Sequence, residues 1–157
     1  MATPRELSSL SLAQHAVRLR TLLDRPIAEA LKKHGLSAGE LDVLGALAAS
    51  GDAGALPREL SSQLLLTTGG LSNILRRLEE DGHITREANS SDARSSIVRL
   101  TEQGLRVGRE TGNAVSEAIS RVLRPVDRSV LDTAAQLLHQ VLVDLDEDAP
   151  VHREFPS

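Results

Sequence analysis

Thr67-Thr68-Gly69-Gly70-Leu71-Ser72-Asn73-Ile74-Leu75-Arg76-Arg77-Leu78-Glu79 is the stretch whose reading decides the fold. Thr67 suits a helix N-cap, because its hydroxyl can accept from an orphan N–H of the first turn. Leu71, Ile74, Leu75 and Leu78 then recur at three- and four-residue steps, the period of one helical face. Thr68, Gly69, Gly70, Ser72, Asn73 and Arg76 make up the exposed start and outer face, small and polar. Each glycine costs a helix roughly 1 kcal/mol against alanine, which a purely structural helix has little reason to tolerate. Gly82 ends the helix, and the period changes. Ile84-Thr85-Arg86-Glu87 and Ile97-Val98-Arg99-Leu100 read as strands, separated by the turn formers Asn89-Ser90-Ser91-Asp92. A helix is therefore followed by a hairpin with a long polar tip.

Upstream, Ser37 with Glu40 forms a capping box that opens a helix through Leu41, Leu44 and Leu47. Gly51 and Gly54 punctuate a loop, and Pro57 suits the first position of a short helix to about Leu65. Nearer the N-terminus, Ser11 with Gln14 starts a helix carrying Leu12, Val17, Leu19, Leu22 and Leu23. Pro26 is expected to kink or break it before Ile27, Ala30 and Leu31 resume the apolar face. Downstream, Thr101 begins a long helix with Val115, Ala118, Ile119, Val122 and Leu123 on one side. Pro125 breaks the chain and starts a last helix. Its stripe (Val130, Leu131, Ala134, Leu137, Leu138, Val141, Leu142 and Leu145) is the cleanest in the sequence.

The fold expected from this order is α+β and mostly α, a single domain over residues 1–157. A winged helix-turn-helix module at 36–100 lies between dimerisation helices at 8–35 and 101–147, and a flexible acidic tail occupies 148–157. The logic is steric: a helix fits the DNA major groove, and a basic hairpin can reach the neighbouring minor groove. The flanking stripes have no place in such a module, and the simplest partner for them is a second copy. Leu19, Val122, Leu131, Leu138 and Leu142 are the candidate dimer-interface residues.

Composition sets outer limits. There is no Cys, Trp or Tyr, and Phe155 is the only aromatic residue, so the core must be aliphatic. Disulfides, thiolate zinc sites and thiol redox sensing are excluded. The net charge is −4, but Asp144, Asp146, Glu147, Asp148 and Glu154 against Arg153 account for −4 (one positive minus five negative), leaving the remainder near neutral. No apolar run reaches membrane-spanning length and the N-terminus lacks a signal-peptide pattern, so no membrane partner is expected. The expected location is the cytoplasm, with nucleoid association when bound to DNA. His15, His34, His83, His139 and His152 are scattered without metal-ligand spacing. No nucleophile elbow, P-loop or dinucleotide fingerprint occurs, so neither enzyme activity, metal nor cofactor is expected.

Three stretches carry a family resemblance. Residues 66–79 with Gly82-His83-Ile84 resemble the recognition helix of the MarR (multiple antibiotic resistance regulator) family. Asp92-Ala93-Arg94 resembles its Asp-x-Arg wing tip, and Val98-Arg99-Leu100-Thr101-Glu102-Gln103-Gly104 its exit from the wing. The resemblance covers essentially residues 11–145. It implies a homodimer held by the terminal helices, binding a pseudopalindromic operator in double-stranded DNA, usually as a repressor that a small phenolic or anionic effector releases. The competing use of such a fold is protein–protein contact without sequence-specific DNA binding.

The candidate DNA-binding residues are Thr68, Gly69, Gly70, Ser72, Asn73, Arg76 and Arg77 on the helix and Asp92, Arg94 and Arg99 on the wing. Asn and Arg read base edges or hold phosphates, and a guanidinium at the wing tip suits a narrow minor groove. The alternatives are ordinary: Arg76 and Arg77 pairing with Glu79 or Glu80, Asp92 and Arg94 forming a solvated turn, and Arg99 facing solvent. Asp42 and Arg86 match effector-pocket positions of the urate-responsive branch, which this recognition-helix region resembles most. That branch has an Arg where Ile74 stands here and an N-terminal Trp that this chain lacks. The other reading of Asp42 and Arg86 is a salt bridge between the second helix and the wing base.

Overall fold

The Ser37–Glu40 capping box forms in both directions. Glu40 N–H donates to Ser37 Oγ at 3.3 Å, and Ser37 N–H donates to a Glu40 carboxylate oxygen at 2.6 Å. It opens α2 (Ala38–Ser50), the most buried helix in the computed structural model, which describes residues 3–64, 66–89, 92–147 and 155. The side chains of residues 89 and 92–95 lie outside that description. Leu41, Val43, Leu44 and Leu47 of α2 form the centre of the core. Against them pack Leu60 of α3 (Pro57–Gln63) and Leu71, Leu75 and Leu78 of α4 (Thr68–Glu80). Ile84 of β1 (Ile84–Asn89) and Val98 of β2 (Asp92–Leu100) close the cluster. Full burial of each such side chain contributes about 1.5–3 kcal/mol, so this aliphatic set can hold the module together without aromatics.

β1 and β2 pair antiparallel from Ile84 opposite Leu100 to Asn89 opposite Asp92, with an irregularity at Ala88/Asn89. The strands thus extend further than the sequence suggested, into the expected polar tip. Ser90 and Ser91 lie outside the described residues. A further pairing escaped the sequence reading: Ala55 N–H donates to Val98 O at 3.0 Å and Val98 N–H to Ala55 O at 2.9 Å. Gly54 enables it, since a side chain there would clash with the Val98 carbonyl, and its φ of +67° lies in the glycine-favouring region. This bridge fastens the root of the hairpin to the segment before α3.

The flanking helices are α1 (Pro4–Lys33), α5 (Glu102–Leu123) and α6 (Arg128–Val143). Two expectations are corrected. α1 starts at Pro4 under a Thr3–Glu6 capping box, not at Ser11, and runs unbroken through Pro26. The ring removes one donor, and the carbonyl it orphans belongs to Leu22, an exposed residue that water can reach. α1 packs on α5, and α5 on α2. Among the described residues, α6 makes no substantial contact with any other element and buries no residue. The expected flexible tail, residues 148–157, lies outside the described residues except at Phe155, whose ring is half-buried against α5 and packs on the core. It is the one tail residue with a large apolar surface to hide.

Candidate nucleic-acid interface

Thr67 caps α4, its hydroxyl accepting from Gly70 N–H at 3.1 Å. Leu71, Leu75 and Leu78 anchor the helix inward. This leaves Thr68, Gly69, Ser72, Asn73 and Arg76 exposed together on the outer face, with Gly70 half-buried beside them. At Gly69 an added Cβ would meet no atom within 4 Å and φ is not positive. Among the described residues, nothing therefore requires glycine at this position. The face is small and polar, and its relief is low enough for a helix to lie deep in a groove.

The two arginines of α4 differ. Arg76 lies 3.0 Å from Glu80, one helical turn on, in an exposed pair. Such pairs contribute about 0–1 kcal/mol, so Arg76 can exchange its carboxylate for a phosphate at small cost. Arg77 Nε lies 3.2 Å from Glu40 Oε1, and Glu40 is only 2 % exposed. Withdrawing Arg77 would strand a buried carboxylate, which ties this arginine to α2. Beside it, a Cβ on Gly39 would stand 2.9 Å from Ile74 Cδ1, so the start of α2 and the middle of α4 are in close contact. Arg58, on the first turn of α3, was not singled out from sequence. It is exposed and lines a groove with Ser62, Thr68 and Ser72. Pro57 at the first helical position was the available signal, since it places Arg58 in the outward-facing first turn.

On the wing, Arg99 Nε lies 3.1 Å from Glu87 across the strands. Asp92 and Arg94 sit on β2, and their side chains lie outside the description. Arg86 on β1 pairs with Glu79 of α4 at 2.9 Å. The structure thus engages Arg86 with the end of α4 instead of bringing it to Asp42, which is half-buried on α2. The wing is also secured at its other end. Thr101 caps α5 by accepting from Gly104 N–H at 2.9 Å, and its hydroxyl lies 2.8 Å from Gly82 O and 3.0 Å from His83 O.

Leu19, Leu138 and Leu142 are exposed, and Val122 and Leu131 are half-buried. They belong to a larger apolar surface that includes Leu7, Leu10, Leu22, Val130 and Leu137. Among the described residues, no three His, Cys, Asp or Glu side chains are grouped to hold a metal, and no helix is long and apolar enough to cross a membrane.

A helix-turn-helix with an outward polar helix, followed by a hairpin wing, defines the class: this is a winged helix-turn-helix protein, mostly helical with a two-stranded sheet. Residues 34–95 match the MarR family. The HTH-type transcriptional regulator PecS of Dickeya dadantii is 33% identical over 88 residues, covering 55% of this chain and 53% of its own. The chain spans about half the length, or less, of the curated relatives it matches. Those relatives are named as transcriptional regulators and none as an enzyme. A MarR family transcriptional regulator from Silicibacter pomeroyi superposes with a TM-score of 0.74 at 25% identity, covering 92% of this chain and 99% of the other. A cysteine-to-serine mutant of E. coli MarR, complexed with operator DNA, shares the fold with a TM-score of 0.75 at 24% identity over 86% of this chain and 96% of its own.

Proposed function

We propose that this chain is a dimeric transcription regulator that binds a pseudopalindromic operator and represses until a small anionic or phenolic effector releases it. The observation that carries the reading is Gly69. It sits on the exposed face of α4, costs helix stability, and has no neighbour among the described residues that demands it. A close external partner supplies the missing reason, and a groove of double-stranded DNA is one that Asn73 and Arg76 can read. The operator-bound E. coli relative supports the same partner. Arg58 and Arg94 contribute phosphate or minor-groove contacts flanking the helix.

α6 supports the dimer. An amphipathic helix that buries nothing among the described residues needs another surface, and α1 offers a matching exposed apolar row. A two-fold dimer then sets half-sites about one helical turn, roughly 34–36 Å, or a multiple apart. The effector reading draws on the family. Arg86 can serve an anion only by giving up Glu79.

Purified protein titrated against its own genomic fragments, with fluorescence anisotropy at two salt concentrations, tests the reading. Sequence-selective binding that weakens with salt is expected. Selective capture of a protein with no affinity for any fragment would replace it with the protein–protein alternative.

A further inference from the structure

Glu80 ends α4 on its exposed outer face, in line with Gly69, Asn73 and Arg76 at three- and four-residue steps. Its two carboxylate oxygens accept from one nitrogen of Arg76, at 3.0 Å and 3.3 Å from Nη1. Both side chains are more than half exposed. As a stabilising device the pair is poorly built. A carboxylate in the last turn opposes the helix dipole, and Arg followed by Glu is the weaker order of an i, i+4 pair. The same carboxylate, on a face that meets phosphates, also opposes DNA binding in general. Two costs at one residue call for a gain elsewhere, and the way Arg76 is held supplies it.

Glu80 occupies Nη1, and among the described residues the edge formed by Nε and Nη2 has no partner. That edge is a fork that fits guanine O6 and N7, and it fits a phosphate equally well. Glu80 tells the two apart. A phosphate on the fork brings a second anion beside the carboxylate and is repelled, whereas the guanine acceptors are neutral. We propose that Glu80 is a specificity-determining residue, which keeps Arg76 for a guanine edge and penalises its use on backbone phosphate. This rests on the DNA reading above and adds which base Arg76 takes and what holds it off non-operator DNA. Glu80 acts through Arg76.

The test measures wild type, Glu80→Gln, Arg76→Ala and the double variant by fluorescence anisotropy. The probes are a fragment retained in the genomic titration and a scrambled duplex of the same length. Gln resembles Glu in size and helix propensity, so the fold should be kept, which circular dichroism checks. Glu80→Gln is expected to bind the scrambled duplex about fivefold more tightly, with a salt slope steeper by about one. The retained fragment gains less, so the ratio of the two affinities falls. With Arg76→Ala already present, Glu80→Gln is expected to leave that ratio unchanged. Replacing guanine by 7-deazaguanine in the retained fragment, which removes N7, is expected to weaken wild type more than Arg76→Ala. An equal gain on both duplexes, the same fall in ratio without Arg76, or equal losses on 7-deazaguanine would each overturn the inference while sequence-selective binding stands. A wild type that prefers neither duplex overturns the DNA reading itself, and the inference with it.

Discussion

Gly104 on the first turn of α5 lies so close to His83 that any side chain at this position would run into the His83 carbonyl. The same carbonyl accepts from Thr101 N–H at 3.0 Å, so the turn after α4 and the start of α5 share one hydrogen-bonding point. Backbone cannot swing aside as a flexible side chain would. Gly104→Ala is therefore expected to destabilise the fold by about 3 kcal/mol. Thr101→Ala, which removes the cap alone, is expected to cost about 1 kcal/mol. Urea unfolding ranks the two. A Gly104→Ala midpoint equal to wild type would contradict the close approach.

Gly69→Ala separates fold from function. With open space around its Cβ, alanine should stabilise α4 by up to roughly 1 kcal/mol. Operator affinity is expected to fall at least about tenfold, equivalent to roughly 1.4 kcal/mol, as the methyl holds the helix off the groove. Higher stability with unchanged DNA binding would remove the main support for α4 as the reading helix.

The Glu79–Arg86 pair is half-exposed and joins the end of α4 to the wing. A double-mutant cycle with Glu79→Ala and Arg86→Ala should show a stability coupling of about 0.5–1 kcal/mol. If Arg86 braces the wing, both single variants lose operator affinity to a similar degree. Loss in Arg86→Ala alone would mark Arg86 as a direct phosphate contact.

Leu138 and Leu142 are exposed on a helix that buries nothing among the described residues. Leu138→Asp or Leu142→Asp should drive the protein toward monomer in sedimentation and weaken operator binding with it. A wild-type protein that sediments as a monomer at micromolar concentration would end the dimer reading.

The charge on Glu40 matters more than its packing. Glu40→Gln keeps the shape of the capping box but removes the carboxylate that holds Arg77 at 3.2 Å. A stability loss of about 1–3 kcal/mol is expected, together with weaker operator binding as α4 loosens. Arg77→Gln should match it, and an unchanged Arg77→Gln would show that the pair does not position the helix.

The amino-acid sequence by itself determined the caps, the helical periods and the class of fold. Ser37, Thr67 and Thr101 each satisfy donors within three residues, and the step of Leu71, Leu75 and Leu78 is set by helix geometry. Such relations are local, so they are legible along the chain. The outward face of α4 was legible for the same reason, as the complement of the buried one. Partner choice was not. Arg77 meets Glu40, Arg86 meets Glu79, and Phe155 meets Gly108, across separations that no period encodes. Whether α1 breaks at Pro26 was likewise decided by the helix around it, because propensity is a weak prior against a long hydrogen-bonded ladder. Which carboxylate an arginine reaches depends on how closely and at what angle two helices dock. That is a property of the packed core, set by every side chain in it at once.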